Sequence, residues 1–142
     1  MAALKSVPAA TRGYMVLDSG ALFALSVGDV EARAALLLAV RRGLTITIPT
    51  VVLAQVIRGG PQDAAVNRVL KEIGEFTVIT TTLARQAGVL LRKTATIDVV
   101  DALVATIALQ QLPAVILTSD PGDLRTLVMA DTDHPRVQII AV

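Results

Sequence analysis

The sequence predicts an α/β fold, a three-layer arrangement with a central parallel sheet of about five strands and helices on both faces. Three observations predict it. Short runs of β-preferring apolar residues alternate along the chain with longer segments of helical character. Gly or Pro stands at most boundaries between them. Acidic residues follow directly on two of the strands, and in open parallel sheets the crevice beyond the carboxyl ends of the strands is where ligands bind.

In order, Tyr14–Leu17 is a short strand ending at Asp18. Ala21–Leu25 is a helix broken at Gly28–Asp29, and Val30–Arg42 is a second helix stopped by Gly43. Leu44–Ile48 alternates Ile and Thr as a strand does. Pro49–Thr50 opens a helix over Val51–Arg58, stopped by Gly59–Gly60. Pro61–Ile73 is a helix with Gln62, Asp63, Asn67 and Lys71 outward, ending at Gly74. Phe76–Ile79 is a third strand and Thr80–Lys93 a helix closing on Arg92 and Lys93, where cations suit the helix dipole. Ile97–Gln111 is a helix ended by Pro113, and Ala114–Leu117 a fourth strand. Pro121–Ala130 is a helix with Pro in its first position, Asp120 as its cap and Asp123 as the capping-box partner. Val137–Ala141 is the last strand.

Composition narrows the chemistry. With 142 residues the chain suits one domain, which we expect over residues 14–142 behind a flexible tail at 1–13. Hydrophobic residues make up 54% and aromatics 2%, so Leu, Val, Ile and Ala must build the core. The mean hydropathy of +0.66 is high enough to point to apolar surface that another chain covers. The absence of Cys removes disulfides, thiolate metal sites and Cys nucleophiles. The one His, His134, lies in a polar turn, so a His-based triad is not expected. A net charge of +1 declares no global attraction to nucleic acid but leaves room for a local basic patch. No apolar run is long enough for a membrane span and no secretory signal is visible, which points to the cytoplasm.

The carboxylates are distributed unevenly. Asp18 follows the first strand, Asp120 and Asp123 follow the fourth, and Asp98 and Asp101 open the helix before it. Asp98 and Asp101 lie three residues apart on one helix face, opposite Val100, Leu103, Val104 and Ile107. Right-handed crossovers put the first strand in a central position, so the three groups can meet at one sheet edge. Clustered carboxylates repel, and a cation relieves that. Oxygen ligands without Cys or His select Mg²⁺ or Mn²⁺, ions that activate water and stabilise charge in phosphoryl transfer.

Three segments carry a family resemblance: Met15–Val16–Leu17–Asp18–Ser19–Gly20–Ala21, Ile97–Asp98–Val99–Val100–Asp101–Ala102, and Leu117–Thr118–Ser119–Asp120–Pro121–Gly122–Asp123–Leu124. In this order and spacing they resemble the acidic motifs of PIN domains, and most of all the VapC toxins of bacterial VapBC toxin–antitoxin pairs. The resemblance runs from about Tyr14 to the C-terminus. It implies a Mg²⁺- or Mn²⁺-dependent endoribonuclease, a homodimer, and a cognate VapB-type antitoxin whose C-terminal segment fills the acidic groove. Asp18, Asp101 and Asp120 match the first, third and fourth family acids. Asp98 and Asp123 match positions that are often acidic, and Thr118 and Ser119 match small hydroxyl residues lining the pocket.

The second family acid is a Glu, and the matching position here is Gln55. That departure bears on metal affinity and turnover, and it supports an alternative: a catalytically weak PIN-type module that binds RNA or antitoxin without efficient cleavage. At helical spacing Arg58 shares the face of Gln55 and is a candidate for an RNA phosphate. A response-regulator receiver, also α/β with Mg²⁺ and Asp, needs an acidic pair after its first strand and a Lys after its fifth. Here Asp18 stands alone and no Lys lies beyond Lys93.

Overall fold

The computed structural model describes residues 12–130 and 136–142. The expected tail falls almost wholly outside the described residues, as does His134. Among the described residues twelve elements follow one another: β1 (Tyr14–Leu17), α1 (Ser19–Ser26), α2 (Val30–Arg41), β2 (Thr45–Pro49), α3 (Thr50–Val56), α4 (Asp63–Ile73), β3 (Phe76–Thr77), α5 (Thr81–Thr94), α6 (Val99–Gln110), β4 (Ala114–Thr118), α7 (Pro121–Met129) and β5 (Val137–Ala141). The sheet order is β3-β2-β1-β4-β5 and every pairing is parallel.

This order explains the layers. From β1 the chain steps one way to β2 and β3, then crosses back past β1 to β4 and β5. Right-handed crossovers in opposite directions place their helices on opposite faces. Accordingly α1 packs with α2, α3 and α4, while α6 packs with α5 and α7. Met15, Val16 and Leu17 point alternately to the two faces and all are fully buried, so both faces of β1 are covered.

Four local differences from the sequence expectation have simple causes. α6 is buried almost all round, with every residue from Ala102 to Ala108 buried, instead of showing one core face, because β1, β4, α5 and α7 all pack on it. β3 pairs over Phe76–Thr77 alone, because it is the sheet edge and its partner β2 ends at Pro49. α3 stops at Val56 because Ile57 turns extended (ψ 129), which leaves Arg58 outside the helix and off the face of Gln55. α4 begins at Asp63, whose buried carboxylate accepts the backbone N–H groups of Arg58 (3.1 Å) and Gly59 (2.6 Å) and so ties down the preceding turn.

Candidate active site at the β1–β4 switch point

β1 and β4 are hydrogen-bonded neighbours, with Leu17 opposite Leu117. The chain turns away from that seam in opposite directions, so it is a topological switch point, and the next residues, Asp18 and Thr118, stand side by side at its carboxyl end. The Asp18 N–H donates to the Leu117 carbonyl (3.2 Å), continuing the ladder one step past the strand. Asp18 is then extended and caps α1: its Oδ1 accepts the Ala21 N–H at 2.9 Å. Its Oδ2 accepts the Thr118 hydroxyl. The same Thr118 Oγ1 accepts the Asp120 N–H at 2.9 Å, so one side chain links the first and fourth acids.

The two turns are pressed together. A Cβ on Gly20 would fall 1.7 Å from Ser119 Oγ and 2.6 Å from Ser119 Cβ. Only a residue without a side chain allows α1 to begin this close to the β4–α7 turn. The sequence motifs contain this glycine, but nothing in its spacing announced its role.

Asp98 caps α6, its Oδ1 accepting the Asp101 N–H at 2.9 Å. Asp101 is half-buried in the first turn. Its carboxyl is pushed up to about 6, first by burial and then by the charges of Asp98, Asp18, Asp123 and Asp120. Four separate carboxylates therefore act on one. Burial also raises the Asp18 carboxyl, against the hydrogen bonds from Thr118, Ala21 and Gly20, and the Asp120 charge adds to the rise.

Asp120 departs from its expected role. It occupies the cap position of α7, yet its carboxylate makes no capping bond, and both it and Asp123 are exposed. Capping therefore does not explain the Asp120 side chain. Gln55 is exposed on α3, which follows β2, the strand beside β1. The Arg58 guanidinium does not stand free on that helix: its Nη1 donates to the Ala54 (2.9 Å) and Ile57 (3.1 Å) carbonyls at the end of α3. A cavity of about 330 Å³ between α5, α6 and the end of α7, lined in part by Leu90, Lys93, Thr106 and Gln110, includes none of the five acids.

Among the described residues no group of three or more Asp, Glu or His side chains is gathered closely enough to hold a metal ion by itself. The donor chemistry nevertheless suits a hard dication. Every candidate ligand is a carboxylate oxygen, and Mg²⁺ commonly takes one or two carboxylates and keeps several waters. The Asp101 carboxyl is raised first by burial and then by four neighbouring negative charges, and a cation would offset the charges.

In sequence the chain matches no family model and no curated protein. In structure it is similar to a chain of VapBC2 from Rickettsia felis bound to a DNA fragment from their promoter. That match is 16% identical with a TM-score of 0.66, and covers 91% of this chain and 98% of that one. It is also similar to a chain of FitAB bound to the IR36 DNA fragment, 14% identical with a TM-score of 0.63, covering 90% of this chain and 94% of that one. The protein is thus an α/β domain with a five-stranded parallel sheet and acidic residues at its switch point. Its fold is the PIN-domain fold that the three acidic segments implied.

Proposed function

We propose that this protein is a Mg²⁺- or Mn²⁺-dependent endoribonuclease, the toxin component of a type II toxin–antitoxin pair, restrained by a VapB-type antitoxin. One observation carries the reading: at the switch point the Thr118 side chain joins Asp18 to the backbone of Asp120, with Asp101 near enough to feel the charges of both. The similarity in fold to chains of VapBC2 and FitAB supports the antitoxin partner. In this reading Asp18, Asp101 and Asp120 hold the metal, with Asp98 and Asp123 beside them.

When bound, the ion would activate water and neutralise charge on the scissile phosphate. The chain's own residues set the stage for that. Thr118 orients Asp18 and fixes the backbone of Asp120. The Gly20–Ser119 contact holds the two turns in register. Asp98 fixes the first turn of α6 and so the position of Asp101. Arg58, tied through Nη1, keeps its Nε and Nη2 donors for an RNA phosphate. The crevice is also where the antitoxin's terminal segment would compete with RNA.

A second reading, binding of RNA or antitoxin without efficient cleavage, is favoured by a single residue, the neutral Gln55. Incubating total RNA with the protein in Mg²⁺, Mn²⁺ or EDTA and mapping the cut ends separates the two. Metal-dependent cuts that vanish in Asp101→Asn support the nuclease; RNA retention without cuts supports the binding module. We also propose a homodimer. The exposed Val30 and Leu38 on α2 favour it, and a sedimentation mass of one chain at micromolar concentration would count against it.

A further inference from the structure

The amino edge of the sheet, opposite the acidic crevice, carries a row of arginines. Arg12 precedes β1, and its N–H donates to the Gly43 carbonyl (3.2 Å) at the entry to β2. Arg41 and Arg42 end α2 at that same entry, and the Arg12 stem lies against Gly43. Arg136 precedes β5, its carbonyl accepting the Ala114 N–H (3.0 Å) at the start of β4. All four are exposed, and among the described residues none of them has an ion pair, the single salt bridge there being Arg33–Glu72. The row spans three strand spacings, about 14 Å. The acids at the head of α2, Asp29 and Glu31, are separated from Arg41 by most of the helix length, about 15 Å. Asp131 and Asp133, which precede Arg136, lie outside the described residues.

Stabilisation of a helix end explains Arg41 and Arg42 but not Arg12, which sits at a strand entry. Unpaired arginines in line suit a chain of phosphates, since the guanidinium matches phosphate geometry. We propose that this edge binds the backbone of single-stranded RNA away from the cleavage site, so that substrates long enough to reach from the crevice across the domain are preferred. The edge lies six residues from Asp18 along β1, about 20 Å. The inference rests on the ribonuclease reading for the identity of the polyanion, and it deepens that reading by assigning a substrate-length preference.

The test is an Arg12→Gln, Arg41→Gln, Arg42→Gln triple variant of the full chain. Binding of an RNA of about 20 nucleotides is measured in EDTA, where metal-dependent cleavage is stopped, across about 50–200 mM salt. The expected result is a roughly tenfold or greater loss of affinity and a salt slope shallower by about 2, for three lost phosphate contacts. In Mg²⁺ the KM for the long RNA rises, while cleavage of a substrate of about 4 nucleotides is unchanged. Wild-type affinity and slope in the variant would overturn the proposal and leave the ribonuclease reading standing. Failure of the wild type to bind RNA in EDTA would also overturn the proposal, whereas absence of metal-dependent cuts by the wild type would overturn the ribonuclease reading on which it rests. A loss seen with duplex DNA and not with RNA would overturn the assignment of the partner.

Discussion

The Thr118 hydroxyl donates to the buried Asp18 carboxylate across the seam between β4 and β1. Because Thr118 Oγ1 also accepts the Asp120 N–H, the hydroxyl's single proton is committed to Asp18. Thr118→Val keeps the shape and removes both bonds. It leaves a buried carboxylate short of a donor, and we expect a loss of about 1–3 kcal/mol in stability. The Asp18 carboxyl should rise further, since Thr118 now lowers it. Urea melts check the first effect. Thr118→Ser should restore both stability and RNA cleavage, whereas a purely steric role for the methyl group would let Val, not Ser, preserve them.

Gly20→Ala should destabilise although alanine ordinarily favours a helix by about 1 kcal/mol over glycine. The new Cβ would lie 2.6 Å from Ser119 Cβ, a clash that rotating the hydroxyl cannot remove. The net cost expected is about 1–3 kcal/mol. In the double variant Gly20→Ala, Ser119→Gly most of that loss should return. Thermal melts of the four proteins of this cycle report the coupling.

Asp101 predicts a pH dependence. Its folded carboxyl stands at about 6, above the 3.8 of an ordinary Asp, so the folded state holds the proton more tightly than the unfolded chain. Below about 4 both states are protonated and the group is neutral in effect. Through its contribution, the metal-free protein loses stability as pH rises from about 4 to about 6, and the loss is complete above that. Asp101→Asn should flatten this slope and raise Tm at pH 7 in EDTA. The gain is about 1 kcal/mol after allowing for solvent screening, or about 3 °C. The same variant should abolish cleavage, as should Asp18→Asn, because an amide is a poor ligand for a hard dication. Adding Mg²⁺ or Mn²⁺ should stabilise the wild type more at pH 7 than at pH 5, since protons compete for the same oxygens, and should not stabilise Asp101→Asn.

Element order and the places of Asp18 after β1 and Asp120 after β4 were legible because their signals are local. Tyr14–Leu17 and Val137–Ala141 are bounded by turn residues and fold as strands over those same residues. Where local side-chain-to-backbone bonds decide, the sequence misled. The sequence pattern starts a helix at Ile97, but Asp98 caps α6 by its side chain and leaves Ile97 outside it, 94% exposed. Asp120 has the sequence of a cap, but Thr118 takes its backbone N–H and its carboxylate stays free of that duty. Arg58 has the spacing of a helix-face residue, but the turn anchored by Asp63 ends the helix before it. In each case a polar side chain two to five residues away took a backbone N–H and reset the end of the element. Hydrophobic spacing alone does not say which of several nearby polar side chains will do so.

Gln55 offers the sharpest test of the second family position. It is exposed on α3 beside the strand that flanks β1, and it carries a carbonyl oxygen where the family has a charge. A unit charge about 4 Å from a dication is worth about 8 kcal/mol at an effective dielectric of 20, before desolvation and carboxylate repulsion offset much of it. Gln55→Glu should therefore strengthen Mn²⁺ and Mg²⁺ binding by about tenfold (~1.4 kcal/mol) or more and raise the single-turnover cleavage rate. It should also act on Asp101 without any metal. Four carboxylates already raise that group, and a fifth within the crevice would raise it further, moving the pH at which stability levels off above about 6. The two measurements are independent: calorimetric titration reads the metal, and melts in EDTA read the carboxylate. If neither moves, Gln55 lies away from the crevice and the metal is held by Asp18, Asp101 and Asp120 without it. If the EDTA melts shift while metal affinity does not, the position faces the acids but not the ion.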